Sequence, residues 1–141
     1  KATNKLQGQY TSGPCSIAQK AATEALAGDG QCVEEMRRVF LRRRDLAVRL
    51  LREIPGLKVN VPQGAFYLFP EIGAYLGKRA GDYQVDTVAD LAMYLLEVGH
   101  VATVGGAAFG APTCLRLSYA TSDDRLAEAM DRMKQALAKL S

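Results

Sequence analysis

Apolar residues return every three or four positions through QCVEEMRRVFLRRRDLAVRLLREIPG, residues 31–56. Val33, Met36, Phe40, Ala47, Leu50, Leu51 and Ile54 form the stripe of an amphipathic helix, and Pro55-Gly56 ends it. An earlier helix is punctuated within SGPCSIAQKAATEALAGDG, where Thr11 or Ser12 can cap the start, Pro14 suits the first turn and Gly28 stops the run. The pattern changes in LKVNVPQGAFYLFPEI, whose two short β-rich runs flank Pro62-Gln63-Gly64 and predict a hairpin or bend. A helix from near Asp86 carries Val88, Leu91, Leu95 and Leu96 and stops at Gly99. HVATVGG and TCLRLSYA read as strands on either side of the loop AAFGAP. Thr121 or Ser122 can cap a last helix, with Asp123 and Asp124 at its positive end and Leu126, Met130, Met133 and Leu137 as its stripe. The order helix, helix, strand, strand, helix, strand, strand, helix predicts an α+β, two-layer arrangement: a small, largely antiparallel sheet covered by helices. GDGQ at 28–31 is the best boundary, dividing residues 1–28 from 29–141.

Composition narrows the function classes. The chain has 141 residues, 48% of them hydrophobic, enough for a core of ordinary size. A formal charge of +3 gives no reason to expect nucleic acid or a membrane surface as partner. No apolar run approaches the ~18 residues of a spanning helix. Cys15, Cys32 and Cys114 are odd in number and far apart, matching neither a disulfide framework nor a metal knuckle, so the expected compartment is the reducing cytoplasm. The opening KATNKLQGQYTSG has no initiator methionine and is already helix-like, which suggests a piece of a longer protein.

Candidate chemistry is sparse. RRVFLRRRD could hold phosphate, but Arg37, Arg38, Arg42, Arg44 and Arg49 fall away from the stripe among Glu34, Glu35, Asp45 and Glu53, as on a solvated, ion-paired helix face. His100, the single histidine, follows a helix-stopping glycine and reads as a turn residue; no metal set surrounds it. VGGAAFG lacks the Lys-Ser/Thr ending of a phosphate loop. No Ser-His-Asp, Cys-His or paired-carboxylate spacing stands out. What remains is Arg116 in LRLSYATS. Alternation puts Leu115, Leu117 and Tyr119 on one face and Arg116 with Ser118 on the other. Such an arginine either reaches solvent from a half-exposed strand or meets an anion, which its planar fork can grip with two parallel hydrogen bonds.

Four segments in order resemble the C-terminal part of a class I aminotransferase of the aspartate aminotransferase type, a fold type I pyridoxal-phosphate enzyme. QYTSGPCSIAQKAATEAL resembles the family's interface segment, QGAFYLFPEI its G-A-F-Y strand, VATVGGAAFG its V-x-P-G-x-x-F-G loop, and LRLSYATS its R-x-S-Y-A strand. The resemblance implies that residues 1–28 end a large cofactor domain and that 29–141 form the C-terminal small domain, which closes over substrate. It also implies a homodimer acting on amino and 2-oxo acids with pyridoxal 5'-phosphate. Arg116 would bind the substrate α-carboxylate, Phe66 and Phe109 would line the substrate side, and Thr11 and Ser12 would approach the partner subunit. Gly105 departs from the family by replacing its proline, which is expected to loosen the loop. The family's cofactor lysine, pyridine-binding aspartate and phosphate ligands belong to a region not matched here. This chain therefore carries no catalytic, cofactor-binding or metal residue and is expected to be inactive alone. Ile17, Ala21, Ala25 and Leu26 are expected to leave an apolar helix face open to self-association. Two other readings stand beside this one: a lyase or synthase of the same fold type, and a non-enzymatic module binding an anion or partner through the arginine-rich helix.

Overall fold

The computed structural model describes residues 1–141 and resolves into two compact units, Lys1–Arg37 and Arg38–Ser141. The first unit holds α1 (Ala2–Tyr10), α2 (Ser16–Ala27) and the opening turns of α3 (Gln31–Arg52). Neither α1 nor α2 buries a residue. Gly28 ends α2 as expected, its N–H donating to Glu24 O. The N-cap of α2 is Cys15, not Thr11 or Ser12. Thr11 instead closes α1, where both its N–H and its hydroxyl donate to Gln7 O, and Ser12 turns the chain with φ 57°. The cap signal was real but belonged to the end of one helix rather than the start of the next.

In the second unit α3 presents Ala47, Val48 and Leu51 to a core completed by β1 (Tyr67–Leu68), β2 (Lys78–Ala80), β3 (Tyr83–Val85), α4 (Val88–Glu97), β4 (Val104–Gly105), β5 (Leu115–Ser118) and α5 (Asp123–Leu137). Strand β5 is central in the antiparallel order β1-β5-β4, and β2 pairs with β3 as a separate hairpin. Leu115, Leu117 and Tyr119 join Leu91, Leu95, Met130 and Met133 in one hydrophobic cluster, so helices cover one face of the sheet. Each fully or nearly buried tyrosine hydroxyl finds a carbonyl: Tyr94 donates to Ala136 O at 2.8 Å, Tyr119 to Ala65 O at 2.9 Å, and Tyr75 to Pro55 O. Burial pushes all three phenols up from their ordinary value.

The expected α+β layers are present, with two differences in detail. The first run of the anticipated hairpin contributes only a bridge from Lys58 to Glu71, and most of 57–66 is irregular. A 3₁₀ turn at Gly73–Tyr75 and the β2–β3 hairpin carry no apolar alternation, because β2 is Lys-Arg-Ala and its turn is fixed by Gly81 at φ 59°. At α4 the start is a reciprocal capping box, Thr87 Oγ1 accepting from Asp90 N–H while the Asp90 carboxylate accepts from Thr87 N–H.

Candidate functional site

The site grows from the parity of β5. Leu115 and Leu117 are buried, Ser118 is exposed, and half-buried Arg116 projects from the sheet face opposite the helices. Register decides its neighbours. Val104 stands directly opposite Arg116 on β4. On the other side Tyr67 pairs with Ser118 and Leu68 with Leu117, and the ladder continues through Tyr119 N–H to Phe66 O and Leu115 N–H to Pro70 O. Phe69 therefore lies across from Arg116, and Tyr67 lies diagonal to it on the same face.

Two rings flank the guanidinium. Its carbon lies 4.6 Å from the centroid of Tyr67 and 4.5 Å from that of Phe109. The two rings make no contact with each other, so they approach from different sides. Phe109 arrives on a 3₁₀ turn, Gly106–Phe109, and packs edge-to-face on Phe69 at 6.2 Å. Gly106 makes this possible: a β-carbon there would press on the carbonyl oxygens of Ala111 and Cys114 and meet the Phe69 ring at 2.9 Å. Its N–H donates to Cys114 O at 2.7 Å, and Gly110 leaves the turn at φ 75°. Gly105, at the family's proline position, holds φ −61°, the angle a proline ring imposes.

Arg116 makes no ion pair and no side-chain hydrogen bond. The arginines of α3 differ. Arg37 is bidentate to Glu34, Arg42 and Arg43 share Asp123, and Arg44 bonds both Asp45 and Pro62 O. Hydrogen bonds from Arg42 and then Arg43 hold the Asp123 carboxyl below the usual carboxylate range. Arg37, Arg42, Arg43 and Arg44 thus form the ion-paired helix face expected from the spacing, while exposed Arg49 and Arg52 meet no acceptor of the chain.

The structure brings Phe109 to Arg116. It places Phe66 differently, across the ladder from Tyr119, with its ring against Phe40 at 6.2 Å and Tyr67 at 4.4 Å. Tyr67 was the neighbour that motif matching left unassigned. Parity carried the signal, because residues two apart share a strand face, and Tyr67 therefore shares the face of Phe69, the residue opposite Arg116. Thr11 and Ser12 lie in the first unit, where they line an open cleft of about 540 Å³ with Asn4, Gln7, Gly13 and Pro14. His100 is a turn residue at φ 54°, and no group of His, Cys, Asp or Glu side chains could hold a metal. No helix is long and apolar enough to cross a membrane. Three of the four lysines in the second unit are engaged elsewhere: Lys58 with Glu71, Lys78 with Leu140 O, Lys134 with Glu53.

A family model described as aminotransferase class I and II matches residues 1–133. A probable aspartate/prephenate aminotransferase of Aquifex aeolicus is 46% identical over 142 residues, covering 99% of this chain and 34% of its own length. A protein of Petunia hybrida named bifunctional aspartate aminotransferase and glutamate/aspartate-prephenate aminotransferase is 44% identical over 140 residues, covering 96% of this chain and 29% of its own. The crystal structure of the aspartate aminotransferase from Rhizobium meliloti matches with a TM-score of 0.91 at 44% identity, over 96% of this chain and 34% of that one. The chain thus spans about a third of the length of the relatives it matches.

Proposed function

Because this chain belongs to the class I and II aminotransferase family, we propose that it supplies the carboxylate-binding small domain of an aspartate aminotransferase-type enzyme. Arg116 docks the α-carboxylate of the amino acid and of the 2-oxo acid formed from it. The observation that carries this reading is a half-buried guanidinium, braced by two rings, whose N–H donors meet no acceptor of the chain. An ordinary surface arginine reaches solvent along a flexible stem; this one is held with its donors unclaimed. Phe109 lines the substrate side, and Phe66, set against Phe40 of α3, backs it only through its contact with Tyr67. Residues 1–28 end the large domain, with Thr11 and Ser12 facing the partner subunit of a homodimer, and 29–141 form the small domain.

The family works with pyridoxal phosphate, which supplies the electron sink and carries the amino group between substrates. The residues around Arg116 do not form a place for it: its neighbours are Tyr67, Phe109 and Val104, with no lysine among them. The chain's own share is to bind, orient and enclose. Orientation matters because a substrate fixed at its carboxylate presents its α-carbon in one direction. Enclosure by the small domain excludes water.

The test is the whole enzyme with bound cofactor, titrated with L-aspartate while the cofactor absorbance is followed, for wild type and Arg116→Lys. Lysine keeps the charge and loses the fork. The expected result is a cofactor spectrum that responds to aspartate, with the substitution weakening apparent affinity ~10- to 100-fold while cofactor content is unchanged. Equal affinity in the two proteins, or no spectral response in wild type, overturns the reading.

A further inference from the structure

Arg116 raises a positioning problem that its strand does not solve. The side chain has a long, freely rotating stem, yet no carboxylate or carbonyl of the chain fixes its head. A carboxylate neighbour would fix it, as Asp123 fixes Arg42 and Arg43, but would occupy the donors that a substrate needs. Aromatic faces offer another solution. Their negative quadrupole stabilises a half-buried cation and accepts no conventional hydrogen bond from its edge.

We propose that Tyr67 and Phe109 are positioning residues that clamp the two faces of the Arg116 guanidinium, so that only its donor-bearing edge is open to an incoming carboxylate. The inference rests on the reading of Arg116 as the carboxylate anchor. With its faces covered, the fork receives the carboxylate in its own plane, in the geometry that gives two parallel charge-assisted bonds. The clamp is built into the fold at both jaws. Tyr67 is fixed by its pairing with Ser118. Phe109 is braced edge-on by Phe69, whose ring lies against Gly106. The Tyr67 hydroxyl has no partner, so the ring is the working part.

The experiment uses the whole enzyme with cofactor and reads KM and kcat for L-aspartate. Tyr67→Leu and Phe109→Leu keep apolar volume and remove the ring; each is expected to raise KM about three- to tenfold with kcat changed much less. Tyr67→Phe is expected to recover most of the loss seen with leucine. Phenylalanine at 109 carrying one, two and three ring fluorines keeps the shape and drains the quadrupole, so KM is expected to climb stepwise. In an Arg116→Gln background Phe109→Leu is expected to add no further loss, because the group it positions is gone. If Arg116→Gln itself leaves KM unchanged, the anchor reading fails and the clamp with it. If Arg116→Gln raises KM strongly while the fluorine series is flat, or Phe109→Leu costs the same with and without Arg116, the anchor stands and the clamp is overturned. The fluorine series answers the question even where a leucine variant folds poorly.

Discussion

Arginine serves two different ends in this chain, on α3 and on β5. Arg42 and Arg43 meet at one carboxylate, Asp123, and tie α3 to the first turn of α5. Arg116 sits among aromatic rings and meets no acceptor. Both environments stabilise a guanidinium, but only the second leaves its hydrogen-bonding capacity available. The comparison shows that the number of arginines in a stretch says little about where an anion binds. The cluster of five in residues 37–44 is engaged or solvated, while the solitary arginine between leucines keeps its donors unclaimed, as the proposed anchor requires.

The sharpest way to disturb the β5 side without touching the arginine is at Gly106. A β-carbon there collides with two backbone carbonyl oxygens, which cannot swing aside, and with the tip of the Phe69 ring. Gly106→Ala is therefore expected to cost about 1–3 kcal/mol of stability and to shift Phe109 off Arg116. Thermal unfolding and aspartate KM measured on the same whole-enzyme variant check both consequences. A variant as stable as wild type, with KM unmoved, would show that the turn relaxes without transmitting its displacement to the anchor.

The neighbouring glycine predicts the opposite sign. Gly105 holds φ −61°, and Gly106 N–H donates to Cys114 O, so by the alternation of an antiparallel ladder Gly105 N–H points away from β5. Gly105→Pro loses no ladder bond and restricts only the unfolded chain, for an expected gain of about 0.4–1 kcal/mol. Val88 Cγ1 at 3.6 Å from an added β-carbon is ordinary contact. A lower melting temperature would mean that the ring collides where the β-carbon does not.

These positions also show how far the sequence could be read. The α3, α4 and α5 stripes stood out because each buries one side of a long helix, and period is strongest where many turns repeat it. Arg116 stood out for the opposite reason, as a charge that breaks an apolar alternation. The β2–β3 hairpin escaped notice because three-residue strands of charged and small residues have no period to detect. Tyr67 escaped because a motif marks identities, whereas facing partners depend on the register between strands far apart in sequence, here Tyr67 with Ser118 and Leu68 with Leu117. Thr11 and Ser12 were misplaced as caps because a cap residue suits either end of a short loop between helices.

The smallest expected effect lies on the α3 side of the comparison. Arg42, and then Arg43, hold the Asp123 carboxyl below the usual range, so the folded chain keeps it ionised at pH values where the unfolded chain, near ~3.9, already binds a proton. The stabilisation is therefore complete above the unfolded value and drains away as pH falls through the folded one. Because the pair is exposed, the contribution is modest and screened by salt. Melting temperatures of wild type and Asp123→Asn, taken from pH 7 down to pH 2 at low ionic strength, should differ by a small constant amount at neutral pH and converge at the acid end. The aspartate KM of the variant should stay at the wild-type value, since Asp123 touches only α3. A gap that persisted at pH 2 would mean that the carboxyl acts through packing or the α5 dipole. A raised KM would mean that the tie between the helices positions the β5 anchor, and the two uses of arginine would then be parts of one device.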